Sequence, residues 1–316
     1  MFRAFIILFA FLFAAPVFAQ EESTSALAHL LAGEYEDARA LAEPLAEKGD
    51  ADAQHLLGYL YENGLGVETD LQRAVDLYAK AALAGQLDAQ FALGELALKG
   101  KGVKQDAATA AGWYRLAARQ GHARAQLRLG VMHLQGEGVD LDKARGVKFL
   151  MDAADAGEAE AQRDLAIAYL GGDGVAKNYL KAADWFAKAA DGGDALASYN
   201  LGLLLQSGSL GEPDLNASAE RMSDAAEAGF APAMTALGLL VHGGAKAEGE
   251  PADWFERAAK AGDPQGRFLY AVALTQGDGR DEDPDAAKLL VEDLLADPAV
   301  DPALKEQAKK LRRELP

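Results

Sequence analysis

The chain has 316 residues, and half of them are hydrophobic, which is enough apolar material for a substantial core. Its 49 acidic residues outnumber its 31 basic ones, which gives a net charge of −18. Nucleic acids and anionic membrane surfaces bind proteins through clustered basic residues, so this charge argues against both as partners. The sequence has no cysteine, which excludes disulfide bonds, thiolate metal sites and thiol catalysis.

Residues 1–19 have the order of a secretory signal peptide: Arg3, an apolar run over residues 4–15, then Pro16 and Ala19. The alternative is a membrane anchor, but the apolar run is shorter than the roughly 20 residues of a membrane-spanning helix. We therefore expect cleavage after Ala19 and no stable membrane insertion of the mature chain. The expected location is periplasmic or secreted, in soluble form.

The segment that follows divides into a short helical pair and a long periodic region. Residues 20–48 predict an N-terminal capping helix pair that turns near Gly33. Residues 49–297 predict about seven units, most of them 36 residues long. Fixed self-similarity of this length indicates stacked supersecondary units. Its clearest landmark is a Gly-x-Gly-Val loop, which begins at Gly64, Gly100, Gly136 and Gly172.

A glycine-rich loop before a helix can bind phosphate, but these loops are interpreted as turns. A phosphate site is needed once, and none of the four copies continues with the Gly-Lys-Ser/Thr of a P-loop. In the unit that begins at Ala51, Ala53, Leu57 and Tyr61 lie four residues apart, on one face of a first helix. A second helix follows the loop. Its predicted N-cap residues are Asp70, Asp106, Asp142, Asn178, Asp214 and Asp283.

Glycine recurs inside the first helix, although each interior glycine costs about 1 kcal/mol relative to alanine. We expect the backbone of a neighbouring helix to approach these positions closely. Residues 298–316 predict a C-terminal helix, in which Asp301 is the N-cap and Pro302 the first helical residue. Its apolar stripe predicts a cap on the last unit, and its many lysines and arginines leave a basic docking tail as the alternative. The stripe contains Leu304, Ala308, Leu311 and Leu315.

The pattern Ala-x-Ala-x-x-x-Leu-Gly-x-x-Tyr, then Gly-x-Gly-Val, then Asp-x-x-x-Ala, then Ala-Ala-x-x-Gly resembles the Sel-one-like repeat (SLR). This family is related to the tetratricopeptide repeat. The resemblance extends from Ser25 to about Ala296, with weaker loops near residues 210 and 245. It implies an all-α fold, a right-handed α-solenoid of stacked antiparallel helix pairs.

Residues for catalysis, metal binding or cofactor binding do not form a recognisable arrangement in this sequence. None of the five histidines belongs to a His-Glu-x-x-His motif. The acidic segment Gly277–Asp285 lacks the 12-residue pattern of a calcium loop that ends in glutamate. We therefore predict no catalytic residue, no metal site, no cofactor and no enzyme activity.

Two classes of function remain open. The resemblance implies an interaction scaffold for a protein or peptide partner, since family members serve as adaptors. Some periplasmic members are similar to regulators of envelope sensor kinases or surface-polysaccharide machinery. The alternative is a cell-wall enzyme or penicillin-binding protein. The SLR proteins credited with that activity have disulfide-linked helix pairs, which a chain without cysteine cannot form.

The predicted partner-binding surface comes from first-helix positions that vary between units, those aligned with Asp52, His55, Tyr59, Glu62 and Asn63. By resemblance to tetratricopeptide arrays, these positions face the concave side. A contiguous exposed apolar strip on an acidic protein indicates an interface; the alternative is that these side chains bury one another. The predicted residues are Phe91, Glu95, Leu98, Leu127, Val131, Leu134, Arg163, Ile167, Leu170, Tyr199 and Leu203.

Overall fold

The computed structural model describes residues 23–315. All regular secondary structure in this part of the chain is helical, with seventeen helices and no strand. The predicted signal peptide lies outside the described residues. Consecutive helices pack against one another as pairs, which is the arrangement of an SLR solenoid. The all-α prediction is therefore confirmed. No helix between residues 23 and 315 is both long enough and apolar enough to cross a membrane.

The chain forms two compact units that meet in sequence between Glu158 and Ala159. Unit 1 contains α1 (described over residues 23–32), α2 (Tyr35–Glu47), α3 (Ala51–Asn63), α4 (Leu71–Leu83), α5 (Leu87–Lys99), α6 (Ala107–Ala118), α7 (Ala123–Gln135) and α8 (Lys143–Asp155). Unit 2 contains α9 (Ala159–Gly171), α10 (Tyr179–Asp191), α11 (Ala195–Gln206), α12 (Leu215–Glu227), α13 (Ala231–His242), α14 (Pro251–Lys260), α15 (Pro264–Gln276), α16 (Pro284–Ala296) and α17 (Pro302–Glu314).

The loops between paired helices are turns, as predicted. Gly136 ends α7 in the left-handed conformation, which residues with a Cβ rarely adopt. Gly138 also has a positive φ, and a Cβ there would lie 2.4 Å from the carbonyl oxygen of Ala107 at the start of α6. The second glycine therefore lets the loop contact the preceding second helix. The predicted N-caps are confirmed at all six positions, where the side chain accepts a backbone N–H: Asp70, Asp106, Asp142, Asn178, Asp214 and Asp283.

The glycines inside the first helices are packing positions, but at four of the five the nearest atoms belong to a side chain and not to the expected backbone. A side chain from the second helix of the same pair fills the space where a Cβ would lie. At Gly94, for example, the ring of Tyr114 lies 2.4 Å from that position. At Gly130 a backbone atom is among the three nearest atoms: the carbonyl oxygen of Gly146, at 3.0 Å. The other three glycines and their neighbours are Gly58 with Tyr78, Gly202 with Met222, and Gly238 with Phe255.

Successive pairs in unit 1 are joined by a repeated glutamine hydrogen bond. The Nε2 atoms of Gln54, Gln90 and Gln126 each donate to a carbonyl oxygen in the last turn of the preceding second helix, at 3.1, 3.1 and 3.3 Å. Each of these carbonyls also accepts a backbone N–H from the turn after its helix, so the glutamine adds a second hydrogen bond that joins one pair to the next.

At the C-terminal end of unit 2, α17 packs against α15 and α16. The predicted apolar stripe is buried there with Val291 and Leu294 of α16. Asp301 accepts N–H groups of the first turn, and Pro302 is the first helical residue, as predicted.

Candidate partner-binding surface

Two residues of the predicted strip are buried in unit 1, so the expectation that they are exposed is wrong. Phe91 is 8% exposed and Leu127 is 2% exposed. The ring of Phe91 stacks on His122 at 5.0 Å, and the guanidinium of Arg124 lies 4.8 Å from its centre. The following helix pair therefore covers Phe91, which cannot serve as an exposed anchor.

The other strip residues of unit 1 are half-buried, namely Glu95, Leu98, Val131 and Leu134. Glu95 forms a polar junction between helices, because its Oε1 accepts from the Tyr114 hydroxyl at 2.8 Å and from Arg128 Nε at 3.0 Å. Leu134 packs on α8: its Cγ lies 2.9 Å from the position that a Cβ on Gly146 would occupy. These contacts show that the strip contributes partly to the packing of unit 1.

In unit 2, Ile167 is the most accessible residue of the strip, with 44% of its surface exposed. Leu170 is half-buried, and Tyr199 and Leu203 pack against the core around α12 and α13. Arg163 is held by Asp194, whose carboxylate lies 2.6 Å from its Nη1. The predicted residues therefore form no uniformly exposed surface within either unit.

An open groove does occur in unit 1, at the equivalent first-helix positions one repeat earlier. It has a volume of about 650 Å³ and lies between α1, α3 and α5. Leu27 and Leu31 of α1 form its apolar side and are 47% and 79% exposed. Its polar side, from α3 and α5, includes Asp52, His55, Tyr59 and Asp88. We call this feature the α1–α3–α5 groove.

The polar side of the groove is acidic and held in place by hydrogen bonds. Gln86 Nε2 lies 3.4 Å from Asp52 and 3.3 Å from Asp88, and so bridges the two carboxylates. His122 Nδ1 accepts the backbone N–H of Ala125, so its Nε2 carries the proton and donates to Asp88 at 3.2 Å. This hydrogen bond lowers the pKa of Asp88 to about 2. Asp88 is therefore ionised at neutral pH.

His55 lies between these carboxylates and the ring of Tyr78, whose centre is 5.6 Å away. Burial lowers the pKa of His55, and the carboxylates of Asp88 and Asp52 oppose that shift. The imidazole is therefore neutral at neutral pH. The groove thus combines exposed leucines with fixed negative charge, an arrangement that suits an apolar side chain next to a lysine or arginine.

The family of the chain follows from comparison with known protein families. The Sel1 repeat model matches six consecutive segments, residues 51–86, 87–122, 123–158, 159–194, 195–230 and 231–263. The chain belongs to the Sel1 repeat family. Each matched repeat coincides with one helix pair, from α3–α4 to α13–α14.

Two solved structures of Sel1 repeat proteins are similar over most of the chain. The Sel1 repeat protein from Oxalobacter formigenes is 30% identical with a TM-score of 0.66, and the match covers 75% of this chain and 96% of that one. The protein c5321 is a protective antigen present in uropathogenic Escherichia coli strains. It is 26% identical with a TM-score of 0.66, and the match covers 88% of this chain and 69% of that one. No curated protein sequence matches the chain.

The groove lies where the first two Sel1 repeats meet α1, which precedes the first matched repeat. The positions of Asp52, His55 and Tyr59 vary between units, but the predicted binding residues begin at Phe91. They do not include Leu27 or Leu31. Their spacing of four residues within a predicted helix was the available signal, because it places two leucines on one face.

One group in unit 1 could hold a metal ion. His29, Glu34 and Asp37 bring their ligand atoms within 4.8 Å of one another, near the junction of α1 and α2. Glu34 and Asp37 are exposed, and a direct contact between His29 and Glu34 already accounts for their proximity. The prediction of no metal site stays a prediction.

Proposed function

We propose that the chain is a non-catalytic interaction scaffold that holds a protein or peptide partner against its first helices. The observation that carries the proposal is the α1–α3–α5 groove, which two exposed leucines and two carboxylates line together. A repeat fold supports the coarser statement, because solenoids present extended surfaces for binding other proteins.

The residues of the groove indicate which side chains a bound partner would place there. Leu27 and Leu31 offer an apolar surface that a bound aliphatic or aromatic side chain would cover. Asp52 and Asp88 would pair with a cationic side chain, and the exposed Tyr59 lines the same groove. The partner segment in this proposal therefore combines an apolar residue with a lysine or arginine.

Affinity capture with matched variants tests the proposal. The tagged mature protein captures partners from its native envelope fraction, and mass spectrometry identifies and quantifies them. The groove variant is Asp52→Asn with Tyr59→Ala. The control is Asp76→Asn with Leu83→Ala, which makes the same kind of change on the exposed surface of α4. Loss of the captured partner in the groove variant alone supports the proposal. Equal capture by both variants places the partner elsewhere.

The location in this proposal is the cell envelope, on the basis of the signal-peptide pattern in residues 1–19. Within the envelope, a sensor kinase or surface-polysaccharide machinery is the proposed partner system. N-terminal sequencing of the exported protein should begin at Gln20. Recovery of a chain that begins at Met1 from the membrane fraction would contradict this location.

A further inference from the structure

Unit 1 contains a basic segment on a chain that is otherwise strongly acidic. Residues 101–150 include nine lysines and arginines against four aspartates and glutamates, which gives a local net charge of +5. The whole chain has a net charge of −18. This reversal of sign has no role in the groove proposed above, whose charged residues are acidic.

The structure gathers four of these cations around a groove between the second helices α6 and α8. One cavity, of about 370 Å³, is lined by Arg115 and Arg119 of α6 and by Arg145 and Lys148 of α8. A second cavity, of about 670 Å³, shares Arg115 and Arg145 with the first. We call the two cavities together the α6–α8 groove.

These four cations form no ion pair within 4.0 Å in the part of the chain that the structure describes. The contrast with unit 2 is clear. There, Arg163, Arg221 and Arg280 each lie within that distance of two or more carboxylates. Guanidinium groups pair readily with carboxylates, so four unpaired cations facing one groove on an acidic protein indicate an anionic ligand.

The excess of positive charge lies in the smaller cavity of the groove, because the larger cavity is lined by two of the cations and two carboxylates. Asp152 lines the smaller cavity, and Asp140 and Asp142 line the larger one. Asp142 already accepts the backbone N–H of Arg145 as the N-cap of α8. The smaller cavity therefore faces four cations and one carboxylate.

Two further features favour a peptide over a simple anion. Phe149 lines the smaller cavity as an aromatic surface, with the guanidinium of Arg145 5.9 Å from its ring centre. His133 lines the larger cavity, is 4% exposed, and stacks on Phe149 at 5.8 Å. Its Nδ1 contacts the carbonyl oxygen of Asp140 at 3.1 Å, and its Nε2 has no hydrogen-bond partner. A bound peptide can supply carboxylates, an apolar side chain and backbone N–H donors together.

We infer that the α6–α8 groove binds an acidic peptide segment of a partner protein. The carboxylates of the segment pair with the four cations, and an apolar residue between them covers Phe149. This site lies on second helices and is independent of the proposed groove on the first helices.

Fluorescence anisotropy with a defined probe tests the inference. The probe is the fluorescein-labelled peptide Gly-Glu-Glu-Phe-Glu-Glu-Gly, titrated with the mature full-length protein at low salt. The groove variant is Arg119→Gln with Lys148→Gln, two exposed residues whose replacement should leave the melting temperature unchanged. The matched control is Lys101→Gln with Lys104→Gln, which removes the same charge from the exposed α5–α6 loop. We expect the groove variant to bind about tenfold more weakly and the control to bind within about twofold of the wild type.

Three results would overturn the inference. The first is the absence of saturable binding of the probe to the wild type. The second is an equal loss of affinity in the groove variant and the control, since net charge alone would then explain binding. The third is equally tight binding of a single-stranded oligonucleotide of the same charge, which would make the groove a general polyanion site.

Discussion

Gly130 and Gly146 bring the backbones of α7 and α8 into direct contact. A Cβ on Gly130 would lie 3.0 Å from the carbonyl oxygen of Gly146, and a Cβ on Gly146 would lie 2.8 Å from the carbonyl oxygen of Gly130. Carbonyl groups within helices cannot rotate away without breaking their own hydrogen bonds. The spacing of this helix pair therefore depends on the absence of a side chain at both positions.

Replacement of Gly146 by alanine should destabilise unit 1, although alanine is the better helix former by about 1 kcal/mol. We expect a loss of about 1–3 kcal/mol, because the added methyl group forces two backbones apart. Gly130→Leu should cost at least as much for the same reason. Chemical denaturation followed by circular dichroism measures both changes. An unchanged or raised stability in both variants would refute the backbone-contact explanation.

Two other glycines supply controls for that series. Gly112 lies in α6 with nothing within 4 Å of the position of an added Cβ, so Gly112→Ala should raise stability by about 1 kcal/mol. At Gly202 the nearest atom is the terminal methyl group of Met222, at 2.8 Å. Because that methyl group can move, Gly202→Ala should change stability much less than Gly146→Ala does.

The repeat pattern predicted the fold because each element depends on local chemistry. Asp70 and its five counterparts are N-caps, and glycines mark the turns; both signals can be read within a few residues. The burial of Phe91 could not be read in this way. It depends on His122 and Arg124, more than 30 residues away, and neither residue follows the consensus of the repeat. The groove beside α1 was missed because it joins repeat positions to a helix outside the repeats.

Stability should fall at alkaline pH because Tyr114 resists ionisation in the folded chain. Its burial and its hydrogen bond to Glu95 raise the pKa of its hydroxyl well above the ordinary value near 10. In the unfolded chain the hydroxyl ionises near pH 10. Its contribution to stability is therefore complete below that pH and is lost as pH rises above it, by about 1.4 kcal/mol per pH unit.

Tyr114→Phe should remove this part of the alkaline slope, as measured by denaturation at several values between pH 9 and 11. An unaltered slope in Tyr114→Phe would show that the hydroxyl ionises equally in both states.

His122 has two separable roles, as the N-cap of α7 and as the donor to Asp88. His122→Asn should keep the cap, because asparagine is a good N-cap residue, but it removes the donor. We expect the pKa of Asp88, followed by carboxyl NMR, to rise from about 2 towards its ordinary value of 3.8. His122→Ala should show the same rise and also lose about 1 kcal/mol of stability with the cap.

The acid stability of the chain checks the same interaction. Because the pKa of Asp88 is lower in the folded chain, its contribution is present above the unfolded value of 3.8 and is lost as pH falls towards 2. His122→Asn should therefore flatten the stability profile between pH 4 and 2 relative to the wild type. If the pKa of Asp88 stays near 2 in this variant, another group must lower it.

Serine substitutions at Leu134 and Ile167 separate packing from binding in the predicted strip. Leu134 contacts α8 at Gly146, so Leu134→Ser should lower the melting temperature of the protein measurably. Ile167 is 44% exposed in unit 2, so Ile167→Ser should change stability by less than about 0.5 kcal/mol.

If unit 2 contributes to partner binding, Ile167→Ser should also reduce affinity capture from the envelope fraction. Leu180→Ser, on the exposed surface of α10, is the control and should change neither quantity. A large drop in melting temperature for Ile167→Ser would identify Ile167 as a packing residue, and unchanged capture would remove it from the binding surface.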